Sequence, residues 1–269
     1  MATFESIAAA SQSSWVLEYS VDWTDAVAFP SSVDFKAGAT LSDGTITWDK
    51  TTNIQRDDGT DGTAGKGGVD LTSGTGLVVV GGAGAANGCL FVENLNNIIA
   101  DYDTRDRIFC VTRMLSGGPT ADTTSYHWYR PQFSIGAAWL GSTSRQGAYI
   151  DRSGAASIAG INNGPNLTQS QQKAALSLAN MRYIGIEFMA GAASRLLYSG
   201  SADWPTKPED MTLYTVISSG ANAGTSLANE GEWTAANTKV ILSGFFDLSG
   251  THTMTMEGWR IYRSKAPTS

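Results

Sequence analysis

Short runs of β-branched and aromatic residues recur along the whole chain, and this recurrence limits its fold more than any other feature. The runs are four to eight residues long, and Gly, Ser, Asn and Asp cluster between them. Such runs predict β-strands, and many short strands separated by turns are typical of a sandwich or barrel. The sequence therefore predicts an all-β fold, an antiparallel jelly-roll β-sandwich.

The strands predicted by this pattern cover most of the chain. They lie at residues 15–23, 45–48, 77–80, 89–92, 107–114, 132–136, 148–151, 157–161, 182–189, 195–199, 213–217, 239–246 and 254–263. The continuously apolar runs at 77–80, 89–92 and 107–114 predict central strands covered on both faces. Residues 132–161 predict a meander, because only short glycine-containing turns join the strands there.

The first predicted strand alternates apolar and polar residues. Period-two alternation places one set of side chains on a single core-facing side: Trp15, Leu17, Tyr19, Val21 and Trp23.

One segment departs from the strand pattern. Thr168-Gln169-Ser170-Gln171 has the arrangement of a capping box, and residues 172–180 permit a helix. We predict one short helix near 168–180. Residues 1–14 are predicted to form an N-terminal arm or short helix, and residues 15–269 a single sandwich domain.

The composition and net charge of the chain disfavour some partners, nucleic acid and membranes in particular. Charged residues make up 16% of the chain, below the roughly 25% of an average soluble protein. The net charge is -7 and no basic stripe occurs, so nucleic acid is not an expected partner. No window is apolar enough to span a membrane, and no signal peptide is recognisable at the start.

Cys89 and Cys110 both lie in apolar runs, which favours buried, reduced thiols over a disulfide. Unpaired cysteines and the lack of a recognisable signal peptide are typical of a protein made in a cytoplasm. The low fraction of charged residues and the many Gly, Ser and Thr residues are typical of a protein that functions outside a cell. A virion protein, made in the host cytoplasm, satisfies both conditions.

Two segments, one within residues 183–200 and one at residues 256–262, resemble the concanavalin A-like lectin/glucanase (laminin-G-like) superfamily. A late strand of the form Gly-x-[apolar]-x-x-x-Arg-[apolar]-Tyr closes the sandwich in that superfamily, and residues 256–262 are similar to it. Residues 183–188 and 196–200 are similar to its hairpin that ends in [apolar]-Tyr-x-[Asn/Ser]-Gly. The resemblance runs from about residue 107 to the C-terminus. It implies a β-sandwich, and members include lectins, glycosidases and head or tail modules of tailed phages.

A glycosidase on this scaffold needs two facing carboxylates, about 5 to 5.5 Å apart for a retaining mechanism. The superfamily's Glu-x-Asp-x-x-Glu motif is absent, and the nearest spacings are Glu230-Gly231-Glu232 and Asp101-Tyr102-Asp103. We interpret both as solvated loop charges. His127 and His252 are the only histidines, too few for a His-based metal cluster. No catalytic residue is predicted.

The segment Tyr126-His127-Trp128-Tyr129-Arg130 is the candidate ligand-binding site. Aromatic faces stack on sugar rings, while Arg130 and His127 could hydrogen-bond hydroxyls. The alternative is an edge strand that packs its aromatics inward or against another subunit.

Tryptophans at strand positions predict core packing: Trp15, Trp23, Trp48 and Trp259. Tryptophans beside turn residues are predicted to be freer: Trp139, Trp204 and Trp233.

Asp57, Asp58 and Asp61 form the candidate metal site. They occupy a tight glycine-containing turn whose composition suits a hard cation such as Ca²⁺. The turn lacks the last acidic ligand of an EF-hand loop, which favours a flexible acidic turn as the alternative. Asp101, Asp103 and Asp106 form a second such cluster. No other cofactor is expected.

Together these features predict a non-enzymatic phage virion structural protein, such as a capsid decoration, tail fibre or tail-associated module. The expected partners are other capsid or tail proteins, further copies of the chain in a homo-oligomer, and host-surface glycans. A carbohydrate-active enzyme and a cellular lectin on the same scaffold are the alternatives.

Overall fold

A computed structural model describes thirteen stretches of the chain. They are residues 14–30, 33–34, 40–42, 47–50, 67–81, 87–116, 126–135, 145–153, 156–163, 182–190, 195–213, 233–247 and 253–267. In chain order the strands are β1 (Val16–Asp22), β2 (Val33–Asp34), β3 (Thr40–Ser42), β4 (Thr47–Lys50), β5 (Gly67–Thr72), β6 (Gly76–Gly81), β7 (Asn87–Asn94), β8 (Arg107–Ser116), β9 (Tyr126–Ile135), β10 (Arg145–Ser153), β11 (Ala156–Asn163), β12 (Tyr183–Phe188), β13 (Arg195–Ser199), β14 (Thr212–Leu213), β15 (Thr238–Asp247) and β16 (Thr253–Ser264).

The strands of these stretches form two antiparallel sheets. A nine-stranded sheet has the order β14-β13-β12-β8-β16-β6-β5-β2, with β1 also paired to β16. A seven-stranded sheet has the order β11-β10-β9-β15-β7-β4-β3. The all-β sandwich prediction is confirmed. The meander prediction is also confirmed, because β9, β10 and β11 are neighbours in chain order. The three apolar runs lie in β6, β7 and β8, and each of these strands has a paired strand on both sides.

The two sheets pack through aromatic and aliphatic side chains. Phe133 of β9 stacks on Phe188 of β12, with ring centroids 4.5 Å apart and planes 12° apart. Trp23 and Trp259, predicted as core residues, are 1% and 0% exposed.

Strand β8 shows why its sequence is apolar throughout. Ile108 and Cys110 belong to the core between the sheets, whereas Phe109 and Val111 belong to a second apolar cluster on the opposite face. Cys110 is a free thiol and fully buried, as predicted, and this burial raises its pKa above the ordinary range. Cys89 lies in β7, and its side chain is outside the described part.

Strand β1 corrects the prediction that its five apolar residues share one face. The pairing with β16 shifts register between Leu17 and Tyr19, so a β-bulge moves the residues before it to the other side. Tyr19 faces the core, while Leu17 is 47% exposed. Trp15 packs against the outer cluster, 6.1 Å from the Phe109 ring in an edge-on arrangement.

Strand β9 is longer than predicted, since it begins at Tyr126 and continues through Pro131. Pro131 pairs with Leu242 of β15, and proline has no backbone N–H to donate to a ladder. On the other side, the β9–β10 register has no pair between Gln132 and Tyr129. The strand predicted at 132–136 and the ligand-binding segment predicted at 126–130 thus belong to one strand that continues through the proline.

The helical segments of the described part are short. Helix α1 (Leu95–Ile98) follows β7, and a 3₁₀ turn occupies Pro208–Asp210. The predicted helix near 168–180 and residues 1–13 of the predicted N-terminal arm lie outside the described residues. In the part of the chain that the structure describes, no helix is long and apolar enough to cross a membrane.

Candidate functional site

Residues 200–211 lie across the outer face of the nine-stranded sheet, the face turned away from the seven-stranded sheet. Beneath them lie Phe109, Val111, Tyr183, Leu197 and Tyr262. Trp204 and Met211 of the loop pack on this cluster. The approach is close because Gly185 of β12 has no side chain, and a Cβ there would lie 2.8 Å from Phe109 Cε2 and 3.1 Å from Met211 Sδ.

Local hydrogen bonds and prolines fix the shape of this loop. The backbone N–H and the hydroxyl of Thr206 both donate to Asp210 Oδ2, each at 2.9 Å. Pro205 and Pro208 are buried. The Tyr183 hydroxyl donates to the carbonyl of Ala202 at 3.2 Å, which ties the loop to β12.

The Trp204 cluster, defined as Arg113, Tyr183, Trp204, Glu257 and Arg260, is the candidate site. Trp204 packs edge-on against Tyr183, with ring centroids 5.2 Å apart, and its indole N–H donates to Glu257 Oε1 at 3.1 Å. The Arg260 guanidinium carbon lies 4.4 Å from the centre of the Trp204 ring. Trp204 and Arg260 are both partly exposed.

Arg113 completes this arrangement from the neighbouring strand. Its Nη1 donates to Glu257 Oε1 at 2.9 Å and lies 2.6 Å from Oε2, and its guanidinium lies 5.5 Å from the centre of the Tyr183 ring. Its buried Nε has no hydrogen-bond partner among the described residues. The cluster thus presents an indole and two guanidinium groups around one neutralised carboxylate.

A second charged group lies further along the same face. Glu187 is 0% exposed and forms ion pairs with both Arg107 and Arg195. The Arg107 guanidinium lies 5.0 Å from the centre of the Trp15 ring. Glu187 lies in β12, Arg107 in β8 and Arg195 in β13, so these two ion pairs connect three adjacent strands.

Glu187 and Glu257 do not form a glycosidase pair. Glu187 pairs with Phe109 of β8, and Glu257 precedes Gly258, which pairs with Arg113. These backbone positions are four residues apart along β8, about 13 Å at 3.3 Å per residue, and on opposite sides of that strand, whereas the two carboxylates of a glycosidase are about 5 to 9.5 Å apart. Glu230 and Glu232 lie outside the described residues.

The predicted ligand segment Tyr126–Arg130 lies in β9, and the structure gives its backbone alone. Its register with β15 runs from Tyr126 opposite Asp247 to Arg130 opposite Ser243, and Tyr129 also pairs with Ile150 of β10. The segment therefore belongs to an interior strand and not to an edge strand, while the packing of its aromatic side chains stays a prediction.

The predicted acidic clusters are divided between described and undescribed regions. Asp57, Asp58 and Asp61 lie outside the described residues. Asp101 and Asp103 each accept a hydrogen bond from a positively charged side chain. Lys265 Nζ donates to Asp101 Oδ2 at 2.6 Å, and Arg105 Nη2 donates to Asp103 Oδ2 at 2.8 Å.

Asp106, the third acid of that cluster, accepts from the backbone N–H of Ala266 at 2.9 Å. Across the described stretches, no group of three or more His, Cys, Asp and Glu could hold a metal ion.

Among the tryptophans predicted to be freer, Trp204 alone joins the candidate site within the described part. Trp233 packs against Phe188 at 4.8 Å, and Trp139 lies outside the described residues. Trp48, predicted as core, has only its backbone described, in β4. A tryptophan beside turn residues was thus the one sequence signal for the site, since nothing in the sequence connects Arg113 or Glu257 to it.

Known proteins share little sequence with this chain. No protein-family model and no curated protein sequence matches the chain. Among solved structures, an endo-1,3-β-glucanase from Streptomyces sioyaensis is similar, with a TM-score of 0.49 and 13% identity over 94% of this chain and 98% of that one. The CBM2 module of the evolved Dit of Lactobacillus casei BL23 phage J-1 has a TM-score of 0.42 and 10% identity, covering 95% of this chain and 99% of that one.

A conserved carbohydrate esterase from the Shiga toxin-encoding bacteriophage phi24B has a TM-score of 0.40 and 9% identity, over 94% of this chain and all of that one (100%). All three TM-scores are below 0.5, so the chemistry of the site has to be argued from the residues themselves.

Proposed function

We propose that this chain is a non-catalytic carbohydrate-binding module of a phage particle, and that it binds cell-surface glycans through the Trp204 cluster. The observation that carries the proposal is the partly exposed indole of Trp204, fixed between Tyr183 and Arg260 with its N–H bound to Glu257.

This arrangement has the chemistry that a sugar ring requires. A pyranose presents an apolar C–H face and a rim of hydroxyls, and sites for such ligands combine aromatic surface with a few fixed polar groups. Trp204 offers the aromatic surface, while Arg260 offers N–H donors. The bound loop and the underlying sheet hold both in place before a ligand arrives, which lowers the ordering cost of binding.

Binding without catalysis is the function that the described carboxylates favour. Glu257 is the one carboxylate of the Trp204 cluster, and Arg113 and Trp204 occupy its oxygens. A retaining or inverting glycosidase needs a second carboxylate across the bond, and Glu187, on the same face, is too distant.

The place of the module in a virion is part of the same proposal. A charged fraction of 16% and 30 glycines suit a protein that packs against other capsid or tail proteins and against further copies of itself. Mass spectrometry of purified particles from the source tests this, and absence of the chain from intact particles would contradict it.

Glycan binding is tested by a polysaccharide array followed by calorimetry on the strongest ligand. Trp204→Ala should weaken binding at least tenfold, because it removes the stacking surface. Lys207→Gln, a change at an exposed residue of the same loop (52% side-chain exposure), is the matched control and should leave the affinity within twofold of the wild type.

Trp128→Ala tests the Tyr126–Arg130 segment as the other candidate surface. Loss of binding in Trp128→Ala, with binding retained in Trp204→Ala, would place the site on the seven-stranded sheet. Release of reducing ends from any bound polysaccharide would contradict the non-catalytic part of the proposal.

A further inference from the structure

Two arginines near Trp204 differ from the others in the described part of the chain. Every other arginine with a described side chain in these stretches forms an ion pair with a carboxylate. These arginines are Arg105, Arg107, Arg113, Arg195 and Arg263. Arg182 and Arg260 form no ion pair with any described residue, although both are partly exposed.

The two arginines lie beside the same loop. Arg182 Nη1 lies 3.5 Å from the carbonyl oxygen of Ser201, a long hydrogen bond, and the Arg260 guanidinium lies over the Trp204 ring. Ser201 and Trp204 are three residues apart in this loop, so both arginines lie along the same short stretch of it.

The acidic groups nearby leave this surface positive. Both oxygens of Glu257 already face Arg113, so Glu257 has little capacity left for Arg260. Asp203, next to Trp204, is exposed and forms no ion pair with a described residue. Glu209 and Asp210 of the same loop lie near other cations, Arg107, Arg195 and Lys207. Among the described residues, Arg113, Arg182 and Arg260 therefore outnumber Glu257 and Asp203 by one positive charge, in a chain whose net charge is -7.

We propose that the glycan bound at the Trp204 cluster is acidic, and that Arg182 and Arg260 bind its anionic group, a carboxylate or a phosphate. This inference rests on the function proposed above and specifies its ligand class. A guanidinium is planar and donates two parallel N–H bonds to either anion. Stacking on Trp204 restricts the orientation of Arg260 before binding, while the indole remains beside the sugar ring that carries the anion.

The test uses the full chain and three polymers. Hyaluronan supplies carboxylates, poly(glycerol phosphate) supplies phosphates, and dextran is neutral. We expect at least one acidic polymer to bind at least tenfold more tightly than dextran in calorimetry at 50 mM NaCl. The affinity should fall as NaCl rises, because salt screens exposed charges. The polymer that binds identifies the anion.

Variants separate this inference from the proposed function. Arg260→Gln should weaken binding of the acidic polymer about tenfold, and Arg182→Gln several-fold. Arg105→Gln makes the same change of charge at an exposed pair elsewhere and should have no effect beyond twofold. Arg260→Lys keeps the charge but not the planar donor pair, so it should bind between Arg260→Gln and the wild type. Thermal unfolding checks that each variant is folded.

Two results would overturn the inference and leave the proposed function standing. One is binding of dextran as tight as that of the acidic polymers, with Trp204→Ala abolishing it. The other is acidic-polymer binding that Arg182→Gln and Arg260→Gln weaken no more than Arg105→Gln does. If neither these polymers nor any array glycan binds, the proposed function itself fails.

Discussion

Glu187 shows at the scale of one residue how the outer face of the nine-stranded sheet is held together. Its carboxylate is 0% exposed and joins Arg107 and Arg195. Glu187→Ala leaves the nearly buried Arg107 without this partner, and breaking such a pair costs about 3–5 kcal/mol. Urea unfolding followed by tryptophan fluorescence measures the loss.

Glu209→Gln is the matched control for that measurement. The Glu209 side chain is 54% exposed and lies 3.9 Å from Arg107 and 3.8 Å from Arg195. Exposed pairs of this kind contribute at most about 1 kcal/mol. Equal destabilisation by the two substitutions would show that Glu187 has no special role.

Gly258 is required where β1 crosses close to β16. A Cβ at this position would lie 2.0 Å from the carbonyl oxygen of Val21, so two backbones would have to separate. Gly258→Ala should therefore cost at least the ~1–3 kcal/mol of an overpacked core. Gly185→Ala should cost less, because the Cβ would meet side-chain atoms of Phe109 and Met211 that can move. Thermal unfolding of both variants gives the order, and the reverse order would contradict it.

At the scale of elements, ion pairs attach the end of β16 to the connection between β7 and β8. Hydrogen bonds from Lys265 and Arg263 lower the pKa of Asp101 from 3.8 to about 2. A carboxylate with a lowered pKa in the folded state contributes stability that is fully present above its unfolded value. This contribution should therefore be present above about pH 4 and be lost as the pH falls towards 2.

Asp101→Asn provides the measurement of that dependence. The wild type should be more stable than the variant at pH 6, and the difference should disappear as the pH falls through the Asp101 pKa of about 2. Urea midpoints at pH 2, 3, 4 and 6 record the difference. A difference that stays constant over this range would mean that the hydrogen-bonding geometry, rather than the charge, stabilises the connection.

Sequence patterning located the strands but not their irregularities. Period two correctly placed Tyr19 and Val21 in the core, yet it could not place the bulge after Leu17. That bulge depends on pairing with Ile261 and Tyr262, far along the chain. Similarly, the strand predicted at 132–136 began after Pro131, although pairing with β15 continues through the proline to Tyr126. A sequence pattern reports the local preference of a strand, and pairing with a strand far along the chain can override that preference.

At the scale of the whole molecule, the sandwich was predictable and the candidate site was not. Alternation of apolar and polar residues and the placing of turn residues reflect contacts within a few positions, so both can be read from one sequence. The Arg113–Glu257 pair joins residues 144 positions apart, and the Trp204–Glu257 hydrogen bond spans 53. No spacing rule connects such residues, because the sheet order that brings them together is itself non-local.

The same non-local order makes β16 essential to the whole fold. β16 lies in the middle of the nine-stranded sheet, where it pairs with β8, β6 and β1, and it carries the fully buried Trp259 and Ile261. We expect a chain that ends before Thr253 to lose cooperative unfolding and become sensitive to protease. A chain that ends at Pro267 keeps all of β16 and should unfold like the wild type. A sharp thermal transition in the shorter chain would mean that β1, β6 and β8 form a stable sheet without β16. We do not expect that outcome, because removing β16 would expose core side chains of its neighbouring strands. Burial of apolar side chains is the main contribution that stabilises a sheet of this kind.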